Sequence, residues 1–450
     1  MREKAAKQQK LRLRYTDKQM KHPYAQALLV MSDVLDAVPE VVDLVHADLV
    51  RGLRDPLSGR EGMTAEQVLR TLIVKQLTDY TYEDLAFHII DSAFYRAFCR
   101  LGFDDGVSKS ALQRDIKKLR PETLEAVNRL LVAHAAECGI EKGRQIRVDC
   151  TVTATDIHDP KDSSLLNDGV RVLTRLLSSA AEDHGAARKP DRTKRSKRRL
   201  LGILNAKNDK QRTKLYRDLL EVTHKTVRDA KSTAEELRRH ATGFITVALA
   251  DEIARVVALT ERIISQTERR VLRGEKVPAS EKVVSIFEPH TDIIIKDRRD
   301  TLYGHKICLS AGASSLITDL VVLEGNPADA TLAVAMIERQ RDIYGRVPLK
   351  SAMDGGFASK ANLAAIKALG VRDVVFSKKR GLAIEDMAKS TWVYRKLRDF
   401  RAGVEGVISF LKRCFGMRRC NWRGFESFKA YAWSSVIAMN LLVMARHLLV

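Results

Sequence analysis

Along the chain, the spacing of apolar positions changes period several times, and each change predicts an element. The first 140 residues read as short helices. TAEQVLRTLIVKQ (Thr64 to Gln76) carries a cap at Thr64, and further helical segments follow at Tyr82 to Ile90 and Lys109 to Leu119. At QIRVDCTVTATDI the period drops to two. Arg147, Asp149, Thr151, Thr153 and Thr155 alternate with Val148, Cys150, Val152 and Ala154, which predicts a strand. From about Leu165 to Pro278 the pattern is helical again and very polar. Two strand-like runs, HKICLSA and LITDLVVL, are separated by GASS, a loop of hairpin length. EGNPAD then leads into a helix from about Ala328 to Tyr344, stopped by Gly345. LKSAM predicts a strand ending at Asp354, SKANLAAIKAL a helix capped by Ser359, and VRDVVFS a last short strand. The final stretch, YAWSSVIAMNLLVMARHLLV, is nearly apolar enough to span a membrane. Asn440, Arg446 and His447 interrupt it, so a buried terminal helix and no membrane partner are expected.

Charge narrows the partners. Lys and Arg number 78 against 57 acidic residues, a net charge of +21, which attracts polyanions and most often nucleic acid. RKPDRTKRSKRR (Arg188 to Arg199) is nearly all cation. It reads either as a phosphate-binding arm or as a solvated loop. VSKSALQRDIKKLRP sets Leu112, Ile116 and Leu119 against Lys109, Arg114, Lys117, Lys118 and Arg120. That pattern suits a DNA-reading helix or an ordinary amphipathic one. The amino terminus, MREKAAKQQKLRLRY, has no apolar core and is no secretory signal, so a cytoplasmic, nucleoid-associated protein is expected. The six cysteines form no C-x-x-C pair and point to neither a zinc knuckle nor a disulfide framework.

Candidate chemistry appears at two places. Asp354 falls at a strand tip followed by Gly355 and Gly356, the position where ligands gather in open α/β sheets. The glycines let a bulky backbone approach, although Asp-Gly-Gly is also plain turn chemistry. In YRKLRDFRAGVEGVISFLKRCFG, Arg398, Arg401, Glu405 and Lys412 fall within roughly 60° of one another on a helix. Gly403 and Gly406 flank the glutamate at a cost of about 1 kcal/mol each relative to alanine, which points to close packing or to close approach of another backbone. The competing reading is a surface helix laced by an Arg401 to Glu405 ion pair. Lys378, Lys379 and Arg380, just past a strand end, form either a phosphate contact or a solvated cluster. His158, with Asp156, Asp159 and Asp162 nearby, reads as a polar turn entering a helix.

Arg401, Glu405 and Lys412 reproduce the Arg-x3-Glu-x6-Lys core of the signature of DDE insertion-sequence transposases, with Arg398 where that signature has tyrosine. RVDCTVTATDIHDPKDSSLLNDGVRVL, GHKICLSAGA, VLEGNPADATLAVAMIE, DGGFASKANLAAIKALGV, VVFSKKRGL and WVYRKLRDFRAGVEGVISFLKR resemble the ISNCY group of these enzymes. The likeness runs from about residue 145 to the end, and the N-terminal helical region is more loosely similar to the N-terminal domain of the same class. Asp156 departs from it by replacing an expected asparagine.

The resemblance implies an α/β ribonuclease H-like catalytic domain over residues 144–450, interrupted by a basic helical insertion at about 165–300. An all-α, helix-turn-helix-like DNA-binding domain over residues 1–143 precedes it. It implies the triad Asp149, Asp354 and Glu405, two Mg²⁺ or Mn²⁺ ions held by it, and Arg398, Arg401 and Lys412 beside DNA phosphates. Lys378, Lys379, Arg380, Arg114 and Lys117 are further candidate DNA contacts. Three clustered carboxylates suit hard, oxygen-loving ions that stabilise both attacking and leaving oxygens in phosphoryl transfer. The expected partners are double-stranded DNA, at the element's terminal inverted repeats and at the target, and a second copy of the chain on that DNA. The expected reaction is cleavage at the element's ends followed by strand transfer. Two other readings stay open: a helix-turn-helix regulator with an inactive nuclease fold, and a metal-dependent nuclease that does not join DNA.

Overall fold

The computed structural model describes residues 2–4, 20–55, 58, 61–102, 105–240, 243–296 and 300–449. Most of MREKAAKQQKLRLRY lies outside the described residues. The chain forms two compact units, one from Met1–Ala154 with His305–Val450 and one from Thr155–Gly304.

Among the described residues, the first unit opens with seven helices: α1 (Pro23–Ala37), α2 (Glu40–Val50), α3 (Ala65–Thr78), α4 (Tyr82–Asp91), α5 (Ala93–Phe98), α6 (Lys109–Ile116) and α7 (Pro121–Glu137). Local chemistry fixes their starts. Thr64 Oγ1 accepts from the Gln67 backbone N–H at 3.2 Å while Gln67 Oε1 accepts from the Thr64 N–H at 3.0 Å, a reciprocal cap on α3. Thr81, Ser92 and Ser108 cap α4, α5 and α6 in the simpler way. Strand β1 (Gln145–Thr155) follows, over the segment where the sequence alternates.

The second unit is a helical bundle: α8 (Asp162–His184), α9 (Thr193–Leu204), α10 (Asp209–Arg239) and α11 (Phe244–Thr267). Its core is its own, drawn from residues such as Leu166, Leu173, Leu219, Ile253 and Ile263. Buried threonines at 223, 226 and 260 satisfy their hydroxyls on the carbonyl four residues back, so polar residues sit inside without a penalty. Strand β2 (Asp292–Lys296), which the sequence reading did not anticipate, pairs antiparallel with the first residues of β3 (Asp300–Gly312). The cationic tract at Arg188 to Arg199 is no loose arm over its second half. Residues from Thr193 onward are the ordered helix α9.

The first unit resumes with the rest of β3 and with β4 (Ile317–Val322), which form the expected hairpin, Cys308 opposite Val321 and Leu309 opposite Leu320. Next come α12 (Ala333–Tyr344), β5 (Lys350–Met353), α13 (Lys360–Ala368), β6 (Asp373–Phe376), α14 (Ile384–Met387), α15 (Thr391–Cys414), β7 (Arg419–Cys420) and α16 (Phe425–Leu448). The strands lie in the order β4-β3-β1-β5-β6, and β1, β5 and β6 are mutually parallel neighbours. Such strands are buried on both faces and apolar, as Val374, Val375 and Phe376 are.

The helices that the sequence sets apart as residues 1–143 share one core with this sheet. Val45, Leu69, Leu72 and Leu131 belong to the same buried cluster as Ile307, Leu309 and Leu320 of the hairpin and Val436, Ile437 and Leu441 of α16. By length and composition α16 could cross a membrane, but 89% of its most apolar window is buried within the protein. Asn440, the polar residue in its middle, donates to the Ile317 carbonyl at 2.8 Å and to Asn128 at 2.8 Å, and accepts from the Ile317 N–H at 2.9 Å.

Candidate active site

The parallel register of β1 and β5 pairs Val148 with Met353. One residue further on stand Asp149, midway along β1, and Asp354, just past the end of β5, and both carboxylates reach the same guanidinium. Helix α15 brings a third carboxylate, Glu405, and between all three it inserts Arg401. One guanidinium nitrogen lies 2.9 Å from Asp149 Oδ2 and 3.3 Å from Asp354 Oδ1, and the other 3.0 Å from Glu405 Oε1. Asp149 thus meets a cation 252 positions further along the sequence.

The approach of α15 to the sheet depends on Gly403. A Cβ there would collide with the guanidinium of Arg147, which donates to the Phe400 carbonyl at 3.2 Å and to Ser315 Oγ at 2.9 Å. Arg147 also stacks 4.8 Å from the Phe400 ring centroid. Gly406, by contrast, faces open space, so close packing explains one helical glycine and not the other. At the turn after β5, a Cβ on Gly356 would meet Asp329 Oδ2 at 2.5 Å, and one on Gly355 would meet the Lys378 side chain at 2.7 Å. The bare turn therefore makes room for neighbouring side chains.

The three carboxylates differ electrostatically. Burial pushes Asp149 above its ordinary pKa, and the charges of Asp354 and Asp329 push the same way. The Arg401 guanidinium and a 2.8 Å hydrogen bond from the Cys150 N–H oppose this without cancelling it. Burial acts on Asp354 as well, but there it is outweighed. The Ser377 hydroxyl donates to Oδ1 at 2.7 Å, and with the Gly355 N–H and Arg401 it holds the carboxyl below its ordinary value. Glu405 is the open member, its side chain 70% exposed against 14% for Asp149.

Among the described residues, no three Asp, Glu, His or Cys side chains gather closely enough to hold a metal ion. The carboxylates converge on Arg401 instead. Their chemistry nonetheless fits a hard divalent cation: the donors are all oxygen, and one guanidinium charge cannot balance three carboxylates. Arg401 is itself incompletely satisfied, since its buried Nε makes no hydrogen bond.

The remaining expected site residues separate. Lys412 hydrogen-bonds the Val152 carbonyl at 2.7 Å, which ties α15 to β1. Arg398 is half exposed and lies 3.4 Å from Asp399. Lys378, Lys379 and Arg380 are exposed beyond β6, with Lys379 5.7 Å from the Tyr394 ring centroid. Arg114 lies on α6 and bonds Asp115 at 3.1 Å, and Lys117, just past the end of that helix, is exposed. Sequence reasoning missed Asp329, which touches the turn after Asp354 and lies 2.5 Å from Lys306. Its only signal was a place in the EGNPAD turn.

Comparison with known proteins bears on the same region. Residues 295–441 match the family described as the transposase DDE domain, a stretch that includes Asp354, Arg401, Glu405 and Lys412 but not Asp149. No curated protein and no solved structure matches the chain. The stretch from the β3 hairpin to α16, which carries Asp354, Arg401 and Glu405, is thus similar to the transposase DDE domain.

Proposed function

We propose that the chain is a DNA transposase that cuts at the ends of an insertion sequence and joins them to target DNA. The observation that carries this reading is the convergence of Asp149, Asp354 and Glu405, from three elements separate in sequence, on one guanidinium beside the parallel strands. The strand order β4-β3-β1-β5-β6 supports a ribonuclease H-like arrangement, and the quoted segments support the ISNCY group. The N-terminal helices, α6 among them, are assigned to reading the element's terminal repeats, and two copies to holding two ends.

Asp149, Asp354 and Glu405 would hold divalent ions, Mg²⁺ or Mn²⁺, whose charge stabilises the oxygens that gain charge during phosphoryl transfer. The chain's own residues do the rest. Asp149 and Asp354, fixed on adjacent strands, define where the scissile phosphate docks. Arg401, a planar donor beside the same carboxylates, would contact the phosphate's non-bridging oxygens. Lys412 keeps α15 on β1 and so sets the height of Glu405, a positioning role in place of the phosphate contact expected from sequence. Arg398, Lys378, Lys379 and Arg380 meet the DNA backbone outside. Water attacks the phosphodiester at the element's end and breaks its P–O3′ bond, leaving a 3′-hydroxyl; that hydroxyl then attacks a target phosphodiester in line, and the target strand's 3′-oxygen leaves.

The test is transfer of a marked mini-element, bounded by the DNA that flanks this gene, into a recipient plasmid, with Glu405→Gln as comparison. Joined products from the wild type and none from a variant that still binds the ends would support the proposal. Binding without cutting would replace it with a regulator, and cutting without joining with a nuclease.

A further inference from the structure

The cations of the second unit divide into two classes. On α9, Arg195 and Arg199 both pair with Asp218 of α10, and Arg192 pairs with Asp229 at 2.6 Å. These three face into the bundle and hold its helices together. Lys194, Lys197 and Arg198 lie on the opposite side of α9, away from the buried Ser196 and Ile203. On α10, Lys210, Lys214 and Arg217 form a second stripe, opposite the buried Leu219 and Thr223. All six are exposed, and among the described residues none has a carboxylate within salt-bridge distance.

We infer that the outward face of the α9–α10 hairpin is a second DNA-binding surface, carried by the second unit, which grips the duplex backbone. The inference rests on the proposed action on DNA. The charges run along two helices joined by the short link at residues 205–208 and do not converge on a point, so they match an extended polyanion and not a small phosphate. Duplex DNA presents one charge per ~1.7 Å of axis, and side chains three or four residues apart on a helix are about 5–6 Å from each other, so each stripe can meet successive phosphates. The six cations include no buried donor aimed at a base edge. The surface therefore positions DNA and does not read its sequence.

The experiment is equilibrium binding of labelled duplexes to the full chain over a series of salt concentrations. It compares wild type, the triple variant Lys197→Gln, Arg198→Gln, Lys214→Gln, and Arg255→Gln, whose arginine pairs with Glu252 on α11. The replaced side chains are exposed, and a thermal melt confirms that the variants fold. For the triple variant the slope of log K against log salt should fall by about 2–3, and affinity by on the order of tenfold or more near ~0.1 M salt, equally on terminal-repeat and unrelated duplexes. Arg255→Gln should match wild type. A triple variant with wild-type slope and affinity would overturn the surface and leave the transposase reading standing. A wild type that binds no duplex would overturn both.

Discussion

Beside the parallel strands of the first unit, three carboxylates share one guanidinium; in the helical bundle, one carboxylate, Asp218, is shared by two guanidiniums. Each cluster leaves charge over, negative in the first and positive in the second. The leftover charge indicates what each region can accept from outside: cations beside the parallel strands, polyanions on the bundle. It also separates structural from functional ionic groups. Arg195 and Arg199 share Asp218 within the bundle and hold it together, whereas Asp149, buried and only partly compensated, carries a charge the fold alone does not favour.

This contrast can be broken by experiment. The largest effect belongs to the carboxylate cluster: Asp354→Asn should lower strand cleavage by on the order of 10²–10³-fold with little loss of DNA binding, measured by product formation on end-bearing duplexes. Equal losses of binding and cleavage would remove the claim that this cluster serves chemistry. Next in size, Gly403→Ala should destabilise the first unit by about 1–3 kcal/mol, because the new methyl group collides with Arg147, while Gly406→Ala should be neutral or stabilising by up to about 1 kcal/mol. Denaturant titration of the two variants decides it. In the bundle, Asp218→Asn should cost about 0.5–1 kcal/mol, since its partners Arg195 and Arg199 remain partly exposed to water. A loss several times larger would make the bundle's pairing as constrained as the carboxylate site.

The smallest effect is a pH dependence. The folded chain takes up the Asp149 proton at a higher pH than the unfolded chain does. The group therefore favours the fold below its unfolded pKa, and that contribution is lost as pH rises through the raised folded value. Asp149→Asn, neutral throughout, should melt slightly higher than wild type at neutral pH, by about 1 °C, with the gain vanishing on acidification. A gain that grew toward low pH would reverse the sign assigned here.

Much of the fold was legible because its signals are local. Alternation marked β1, the caps at Thr64 and Ser359 marked helix starts, and a glycine pair marked the turn after Asp354. What escaped were relations between distant segments. A helix apolar on every side predicts burial, but nothing in α16 names α1, α3 and α7 as the helices it shares a core with. The basic tract reads as a solvated arm because its charges dominate; only Ser196 and Ile203, two small signals among many cations, mark the side that turns inward. Strand β2 is five residues long, too short for periodicity to declare itself. At the site, the helical phase of Glu405 and Arg401 was readable. The hydrogen bond that takes Lys412 to the Val152 carbonyl, and the arrival of Asp329, required the fold.

The amide of Asn440 has a consequence for how this protein behaves in a crowded solution. β4 is a border strand of its sheet, and Ile317 at its start would offer a free N–H and carbonyl to any extended chain that drifted past. The Asn440 side chain occupies both groups, as a neighbouring strand would, so the C-terminal helix also shields the rim of the sheet. A chain shortened before residue 440 would lose that cover along with part of its core, and its molecules would be expected to stick to one another, border to border, before they unfolded.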